Sequence, residues 1–156
     1  LAASMGYGYE KLTSIFFNEV KIKPENVFIL ACRDLDKGEI ELINKLKMNV
    51  WTTEQINKEG TSKVINDLLT LIKEKNIKNI HLSYDIDCLD PDYVPGTGTP
   101  VNDGLTYSQS KELLEAILGT NLVKSMDFVE YNPMLDKNNK TKETCFELLN
   151  LISDNL

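Results

Sequence analysis

Apolar runs of strand length alternate along the chain with stretches in which apolar residues recur at every third or fourth position. The continuous runs predict buried β-strands at 26–32, 49–53, 79–87 and 122–130. The three-four spacing predicts amphipathic helices at 37–46, 61–75, 107–119 and 141–156. We expect Thr61 or Ser62 to cap the second helix and Gly119 to end the third. The pattern is that of an α/β protein.

The alternation of strands and helices predicts right-handed crossovers and a mostly parallel sheet. In such sheets, ligands bind beyond the carboxyl ends of the strands. Polar residues are concentrated at these ends, in the segments 33–36, 85–92 and 130–132. The sequence contains no internal repeat and no flexible linker, so residues 1–156 are expected to form a single domain with its site at this edge.

The composition is that of an ordinary globular protein, with 42% apolar and 26% charged residues. A net charge of −7 without a basic cluster argues against nucleic-acid binding, because that binding depends on Lys and Arg contacts with phosphates. No apolar run approaches the roughly 20 residues that cross a bilayer, so no membrane association is expected.

The N-terminus and the cysteines bear on the cellular compartment. Residues 1–12 lack the basic segment and long apolar run of a secretion signal, and they begin with Leu1 instead of Met. We therefore expect a cytoplasmic protein whose first half precedes this chain. Cys32, Cys88 and Cys145 are widely spaced and form no CxxC motif, which predicts buried thiols and neither a disulfide framework nor a zinc cluster.

Four aspartates fall within eight residues at the end of the third predicted strand: Asp85, Asp87, Asp90 and Asp92. Such a density of carboxylates is costly unless a cation neutralises it. Side chains two apart in a strand share a face, so Asp85 and Asp87 could point at one Mn²⁺ or Mg²⁺ ion. The alternative is an acidic loop whose carboxylates cap backbone amides. An EF-hand is excluded, because it requires glycine at Asp90 and glutamate at Gly96.

Two further segments carry possible binding groups. Residues 95–100 place two glycines between prolines, a rigid turn whose backbone can approach a ligand closely, although a plain turn explains the pattern as well. Glu130 ends the fourth strand and could hold a planar cation such as guanidinium through a bidentate pair. A carboxylate paired with a neighbouring lysine or backbone amide is an equally good explanation of Glu130.

The remaining polar and aromatic residues are interpreted structurally. Arg33 and Asp34 are expected to form a buried ion pair that holds two loops together. His81 is the only histidine, so it cannot supply a histidine-rich metal site or a catalytic triad, and a hydrogen-bonded core residue is expected. Trp51 and the phenylalanines at 16–17 are predicted to pack in the core.

Taken together, the string SYDIDCLDPDYVPGTGTPVNDGLTY, followed by SMDFVEYNP, resembles the ureohydrolase family of arginases, agmatinases, guanidinobutyrases and formimidoylglutamases. Within that family, RDLDKGE, LTY and VEYNPMLD are most similar to arginase. The likeness covers essentially the whole chain and corresponds to the C-terminal half of the family's domain. It implies a three-layer α/β/α fold with a mostly parallel sheet and two Mn²⁺ ions in each active site.

The resemblance also implies roles for single residues. Asp85 resembles the carboxylate that bridges the two metal ions, and Asp87 resembles a ligand of the second ion. Glu130 matches the glutamate that orients the guanidinium group of the substrate. The implied reaction is metal-assisted hydrolysis, in which a water of lowered pKa attacks the guanidinium carbon of arginine and releases urea and ornithine.

Three more residues match substrate contacts of the family. Asp36, assisted by Glu39, matches an aspartate near the α-amino group of the substrate, and Thr99 matches a threonine that lines the pocket. The family's histidine-bearing motifs have no counterpart in this chain, so most of the metal ligands are absent and the 156 residues alone are expected to be inactive. The full-length protein is expected to be a homo-oligomer, a trimer or hexamer.

Two alternatives to arginase stay open. The chain could come from an agmatinase or another ureohydrolase, although RDLD fits these less well because agmatine has no α-carboxylate. It could also be a non-catalytic fragment or a structural subunit that pairs with a separate first half. A half-sheet of this kind would expose strand edges and favour self-association.

Overall fold

The computed structural model describes residues 1–155; Leu156, the last residue of the predicted terminal helix, lies outside them. The strands are β1 (Phe28–Cys32), β2 (Asn49–Thr52), β3 (Ile80–Asp85) and β4 (Val123–Val129). The α-helices are α1 (Glu10–Thr13), α2 (Lys37–Leu46), α3 (Thr53–Glu59), α4 (Thr61–Glu74), α5 (Tyr107–Leu118) and α6 (Lys140–Asp154). Short 3₁₀ turns occupy Ala3–Met5, Pro24–Asn26 and Ile86–Cys88. Within residues 1–155, no helix combines the length and the apolar character that a membrane span requires.

Each predicted strand and helix is present, but the chain between β2 and α4 differs from the prediction. The unpredicted helix α3 begins directly after β2 with a capping box. Thr52 Oγ1 accepts the Gln55 N–H at 3.2 Å, and Gln55 Oε1 accepts the Thr52 N–H at 2.9 Å. The prediction that Thr61 or Ser62 caps α4 is wrong. Gly60 is the cap residue, because α3 runs up to it and leaves Thr61 inside the first turn of α4.

The strands form two two-stranded sheets, β1 with β2 and β3 with β4. β3 and β4 run parallel, and Asp85 lies opposite Val129. Tyr84 and Phe128 are paired across the two strands, and their rings stack with the centroids 5.1 Å apart. The predicted α/β fold with parallel strands is thus confirmed. β1 is less buried than predicted, since only Ala31 is fully buried in a strand with a single neighbour. The parallel register brings the carboxyl ends of β3 and β4 to the same edge.

The described chain divides into two compact units. The first comprises Leu1–Leu30 with Leu35–Val50, and the second comprises Ala31–Asp34 with the chain from Trp51 onward. In the first unit, the predicted core position of the phenylalanines at 16–17 is wrong. Phe16 is 96% exposed and has a left-handed backbone (φ 71°), and its ring contacts that of Phe17, which is 42% exposed, edge-on. Trp51, in the second unit, is half-buried.

The core of the second unit lies among its helices. α4 packs against α3 and α5, and α5 packs against α6. The residues at the three-four positions of these helices are buried, as the apolar pattern predicts. They include Val64, Leu68, Leu113, Leu114, Leu118, Leu148 and Ile152.

The N-terminus of α6 is capped from outside the helix. Asn139 precedes the first turn in a left-handed conformation and makes no side-chain cap. Asp136, which is 7% exposed, instead accepts the N–H groups of Thr141 at 3.2 Å and Lys142 at 2.9 Å. A buried carboxylate at this end also interacts favourably with the helix dipole.

Replacing Asp136 by alanine is expected to lower the free energy of unfolding by about 2 kcal/mol, because two N–H groups lose a charged acceptor in a buried place. Urea denaturation of the 156-residue chain measures the change. Asp154→Ala is the matched control, since it removes the same charge from the exposed opposite end of α6. Equal destabilisation by both variants would contradict the capping role.

Candidate active site

The acidic segment begins at the last residue of β3. Asp85 accepts the N–H of Asp87 on its Oδ1 at 3.1 Å, and this bond starts the 3₁₀ turn Ile86–Cys88. β3 therefore ends two residues before the predicted end of the third strand. The prediction that Asp85 and Asp87 share a face of one strand is wrong, because a turn and not strand alternation brings the two carboxylates together.

The electrostatics of this turn centre on Asp85, whose side chain is half-buried. The pKa of Asp85 is raised to about 6, mainly by desolvation and in addition by the negative charges of Asp87 and Glu130, whereas the hydrogen bond from the Asp87 N–H lowers it. Three carboxylates therefore interact at one edge of the sheet. Their mutual repulsion favours the binding of a cation there.

Glu130 follows β4 directly, one residue beyond the Val129 that lies opposite Asp85. Its φ of 68° is left-handed, a conformation that costs a non-glycine residue about 1–3 kcal/mol. The side chain is exposed, and among residues 1–155 no lysine forms an ion pair with it. No backbone N–H of the same residues donates to it either. The structural explanation of Glu130, a pair with a neighbouring lysine or backbone amide, is therefore not supported, and the carboxylate can accept a ligand.

The glycine-rich turn 95–100 is hydrogen-bonded to the acidic turn, which comprises Asp85 and the 3₁₀ turn Ile86–Cys88, and to the segment after β4. Thr99 Oγ1 donates a long hydrogen bond of 3.4 Å to Asp87 Oδ2. The Gly96 N–H donates to Thr141 Oγ1 at 2.7 Å, and the Gly96 carbonyl accepts the Asn132 N–H at 2.9 Å. Thr99 thus lies beside a predicted metal ligand, while Gly96 fixes the turn against α6.

The second half of the acidic run is structural, in agreement with the alternative in which carboxylates cap backbone amides. Asp90 Oδ1 accepts the Asp92 N–H at 2.9 Å, and Asp90 Oδ2 accepts the Gly104 N–H at 3.2 Å. The Asp90 N–H in turn donates to the Leu105 carbonyl at 2.9 Å. Asp90 therefore ties the acidic run to the segment that leads into α5.

Asp36 and Glu39 lie in the first unit, at the start of α2. They form a capping box in which the Glu39 N–H donates to Asp36 Oδ1 at 2.9 Å and the Asp36 N–H donates to Glu39 Oε2 at 3.0 Å. Both side chains are exposed. This local role accounts for the residue types, and contact with a substrate stays a prediction.

Arg33 has partners that the sequence did not indicate. Its guanidinium donates to backbone carbonyls, and its shortest bonds reach Asp87 O at 2.6 Å and Val101 O at 2.9 Å. The predicted ion pair with Asp34 is not found among residues 1–155. The reason is that the guanidinium is directed at the carbonyls, whereas the Asp34 side chain is exposed.

His81 makes hydrogen bonds as predicted, but it is not a core residue. Its Nδ1 lies 2.9 Å from Ser125 Oγ and its Nε2 lies 3.2 Å from Asp127 Oδ2. Burial alternates along β3, and His81 occupies an exposed position of that alternation together with Ser83. The core assignment is wrong because the strand has one exposed face.

Two of the three cysteines, Cys88 and Cys145, have thiols of raised pKa. Within residues 1–155 no disulfide joins Cys32, Cys88 and Cys145, as predicted. Cys145 is buried, and the other two are half-buried, less than predicted. Burial raises the pKa of the Cys145 thiol to about 11 and that of Cys88 to about 12, so both stay protonated near neutral pH.

The donor set suits a divalent cation but is not complete. The oxygen donors Asp85 and Asp87 are of the kind that Mn²⁺ and Mg²⁺ prefer. No group of three or more His, Cys, Asp or Glu side chains within residues 1–155 is close enough together to hold a metal ion. Close to these carboxylates in the sequence, the buried Thr97 hydroxyl of the glycine-rich turn has no hydrogen-bond partner within residues 1–155. The carboxylates of Asp85 and Asp87 suit a divalent ion in kind, but two ligands are too few to hold one by themselves.

The sequence model described as the arginase family matches residues 7–152, which is nearly the whole chain. This chain belongs to the arginase family. An arginase of Brevibacillus brevis is 42% identical over 152 residues. Among solved structures, the arginase of Bacillus caldovelox superposes with a TM-score of 0.90 at 38% identity, and the Entamoeba histolytica arginase in complex with L-ornithine superposes with a TM-score of 0.88 at 29% identity.

The arginase-family chain spans about half the length of the curated relatives that it matches. The alignment covers 97% of this chain in all three comparisons, but 51% of the B. brevis protein and 50% of each of the two solved chains. The arginase-like fold predicted from the resemblance is thereby confirmed. The metal and substrate contacts of Asp85, Asp87, Glu130, Thr99, Asp36 and Glu39 stay predictions.

Proposed function

We propose that this chain forms part of an arginase, which hydrolyses the guanidinium group of L-arginine to urea and L-ornithine. The observation that carries the proposal is the meeting of Asp85, Asp87 and Glu130 at one edge of a parallel sheet. Carboxylates at this edge can bind both a metal ion and a guanidinium cation. The related E. histolytica arginase was solved in complex with L-ornithine, the proposed product.

Each residue at this edge has a distinct task in the proposed reaction. The exposed carboxylate of Glu130 accepts two N–H groups of the guanidinium and so orients it in one plane. Asp85 and Asp87 each contribute oxygens to the metal site, and the Thr99 hydroxyl holds the Asp87 carboxylate in place. From the family resemblance, Asp36, with Glu39, is proposed to contact the α-amino group of the substrate.

Asp85 and Asp87 would hold two Mn²⁺ ions together with histidine and aspartate ligands that this chain does not contain. Bound divalent ions lower the pKa of water and stabilise negative charge, which is the chemistry that guanidinium hydrolysis needs. The partial burial of Asp85 makes the unneutralised carboxylate costly and favours metal binding. A cytoplasmic homo-oligomer, a trimer or hexamer, is proposed for the complete enzyme.

The 156-residue chain alone is expected to release no urea from arginine, because it supplies only two of the carboxylate ligands. Co-expression with the part of the B. brevis arginase that it does not match is expected to give Mn²⁺-dependent urea release, measured colorimetrically. Metal-dependent turnover by the chain alone would contradict this prediction. A complex that forms but releases no urea from any guanidino compound would favour the alternative of a structural subunit.

The same complex distinguishes arginase from agmatinase. Arginine is expected to react at least about tenfold faster than agmatine in kcat/KM, because agmatine lacks the α-carboxylate and leaves the contacts built for that group unpaired. Faster turnover of agmatine would replace arginase by agmatinase as the proposed function.

A further inference from the structure

Arg33 is the only arginine in a chain with sixteen lysines. Its guanidinium faces backbone carbonyls on two separate segments. Nη2 donates to Asp87 O at 2.6 Å and to Val101 O at 2.9 Å, and Nε donates to Val101 O at 3.2 Å. Longer bonds of 3.4 Å reach the carbonyls of Cys88 and Leu89. A planar group with five N–H donors can make this set of bonds, whereas a lysine ammonium cannot.

The backbone around Arg33 is bent to direct the side chain at these carbonyls. Ala31 and Asp34 both adopt left-handed conformations, with φ of 62° and 53°, at a cost in conformational energy. The Ala31 carbonyl is fixed by a buried hydrogen bond of 3.0 Å from Thr53 Oγ1. Ala31–Asp34 also belong to the second compact unit, although the chain on either side belongs to the first. The tetrapeptide is thus built into the unit that contains the acidic turn.

The two segments that Arg33 joins are also those whose side chains meet at the site. Asp87 lies in the acidic turn, and Val101 lies two residues after Thr99, which donates to Asp87 Oδ2. The same segments are linked by the Leu105 N–H to Cys88 O and the Asp90 N–H to Leu105 O, each at 2.9 Å. Residues 89–106 belong to none of the helices or strands, so Arg33 adds hydrogen bonds to a part of the chain that has no regular secondary structure.

We propose that Arg33 is a positioning residue that orders the acidic turn and the end of the glycine-rich turn beside Val101, so that the Asp87 carboxylate is in place before a metal ion binds. Its significance for catalysis rests on the proposed function, because it assumes that Asp87 is a metal ligand. The ordering itself is a property of this chain. It depends on the shape of the guanidinium group and not on positive charge alone.

Hydrogen exchange of the full 156-residue chain tests the ordering, with the amides of Asp90 and Leu105 as reporters. In Arg33→Met and Arg33→Lys, both amides are expected to exchange at least about tenfold faster, the factor that corresponds to the loss of one charge-assisted hydrogen bond. The amides of α4 are expected to keep their protection. Lys58→Met is the control, since Lys58 lines the same cleft as Arg33 and its loss removes the same charge.

Three results would overturn the proposal. The first is unchanged exchange at both reporters in Arg33→Met. The second is an equal acceleration in α4, which would mean general destabilisation. The third is full protection in Arg33→Lys, which would mean that charge and not shape orders the turn.

Mn²⁺ titration of the complex with the unmatched part of the B. brevis arginase separates this inference from the proposed function. Arg33→Lys is expected to weaken Mn²⁺ binding about 10- to 100-fold, as the loss of residues that orient a metal ligand does. If the unmodified complex binds no Mn²⁺ while the exchange result holds, the proposed function is wrong and the ordering role of Arg33 stands. If Mn²⁺ binds equally well with Lys at position 33, the positioning role is wrong.

Discussion

Asp85→Ala is expected to weaken Mn²⁺ binding by more than about 100-fold in the complex with the unmatched part of the B. brevis arginase. Replacing residues that merely orient metal ligands costs about 10- to 100-fold, and Asp85 is proposed to contact the metal directly. Burial and the negative charges of Asp87 and Glu130 together raise the pKa of Asp85. Asp85→Ala therefore removes a proposed ligand whose unneutralised charge is costly without a cation.

Isothermal titration calorimetry with Mn²⁺ measures this effect. Asp92→Ala is the matched control, because it removes the same charge from the same acidic run at an exposed residue. It is expected to change the affinity by less than about threefold, since exposed charges are well screened. The 156-residue chain alone should bind Mn²⁺ weakly or not at all. Two tight sites in the chain alone, abolished by Asp85→Ala, would mean that copies of this chain complete the ligand set for one another.

The second large effect is expected for Gly104→Ala, which should lower the free energy of unfolding by about 3 kcal/mol or prevent folding. A Cβ atom at position 104 would lie 2.3 Å from the Asp90 N and 2.4 Å from the Leu89 carbonyl carbon. These are backbone atoms beside the Gly104 N–H···Asp90 bond, so they cannot move aside as a flexible side chain can. Overpacking costs about 1–3 kcal/mol even where side chains can adjust.

Urea denaturation followed by far-ultraviolet circular dichroism measures the change in stability. Gly98→Ala is the control, because the same methyl group at position 98 would meet no atom within 4 Å. Its expected effect is within about 0.5 kcal/mol, as for exposed substitutions in general. If Gly104→Ala is as stable as Gly98→Ala, the close packing of the segment before α5 against the acidic turn is wrong.

The fold was largely predictable from the sequence, because apolar periodicity is a local signal. The long helices α4, α5 and α6 and the strands β3 and β4 all lie where the pattern placed them. The short helix α3 was missed, since seven residues give too little periodicity and its capping box begins inside the predicted second strand. The end of β3 was also missed, because the Asp85 carboxylate accepts the Asp87 N–H and a turn begins where the strand was predicted to continue.

The site was only partly predictable, because its contacts join segments far apart in the sequence. The density of aspartates and the place of Glu130 after a strand predicted carboxylates at the carboxyl ends of β3 and β4, where the structure has them. The partners of Arg33 lie 54 to 68 residues away and are backbone carbonyls, which leave no mark in the sequence. The one available signal was that a single arginine occurs in a lysine-rich chain. The exposed position of His81 depends on which face of β3 is covered, and the sequence of one strand does not specify this.

The left-handed backbone at Glu130 places stability and chemistry in conflict at a single residue. Glycine would adopt a φ of 68° without strain, and asparagine with less strain than glutamate. Selection for thermal stability alone would therefore favour replacing the carboxylate that the proposed reaction needs. Such conflicts are typical of functional positions in enzymes. Engineering of this chain for robustness should leave position 130 fixed and seek its gains elsewhere, for example at the exposed apolar residues around α1.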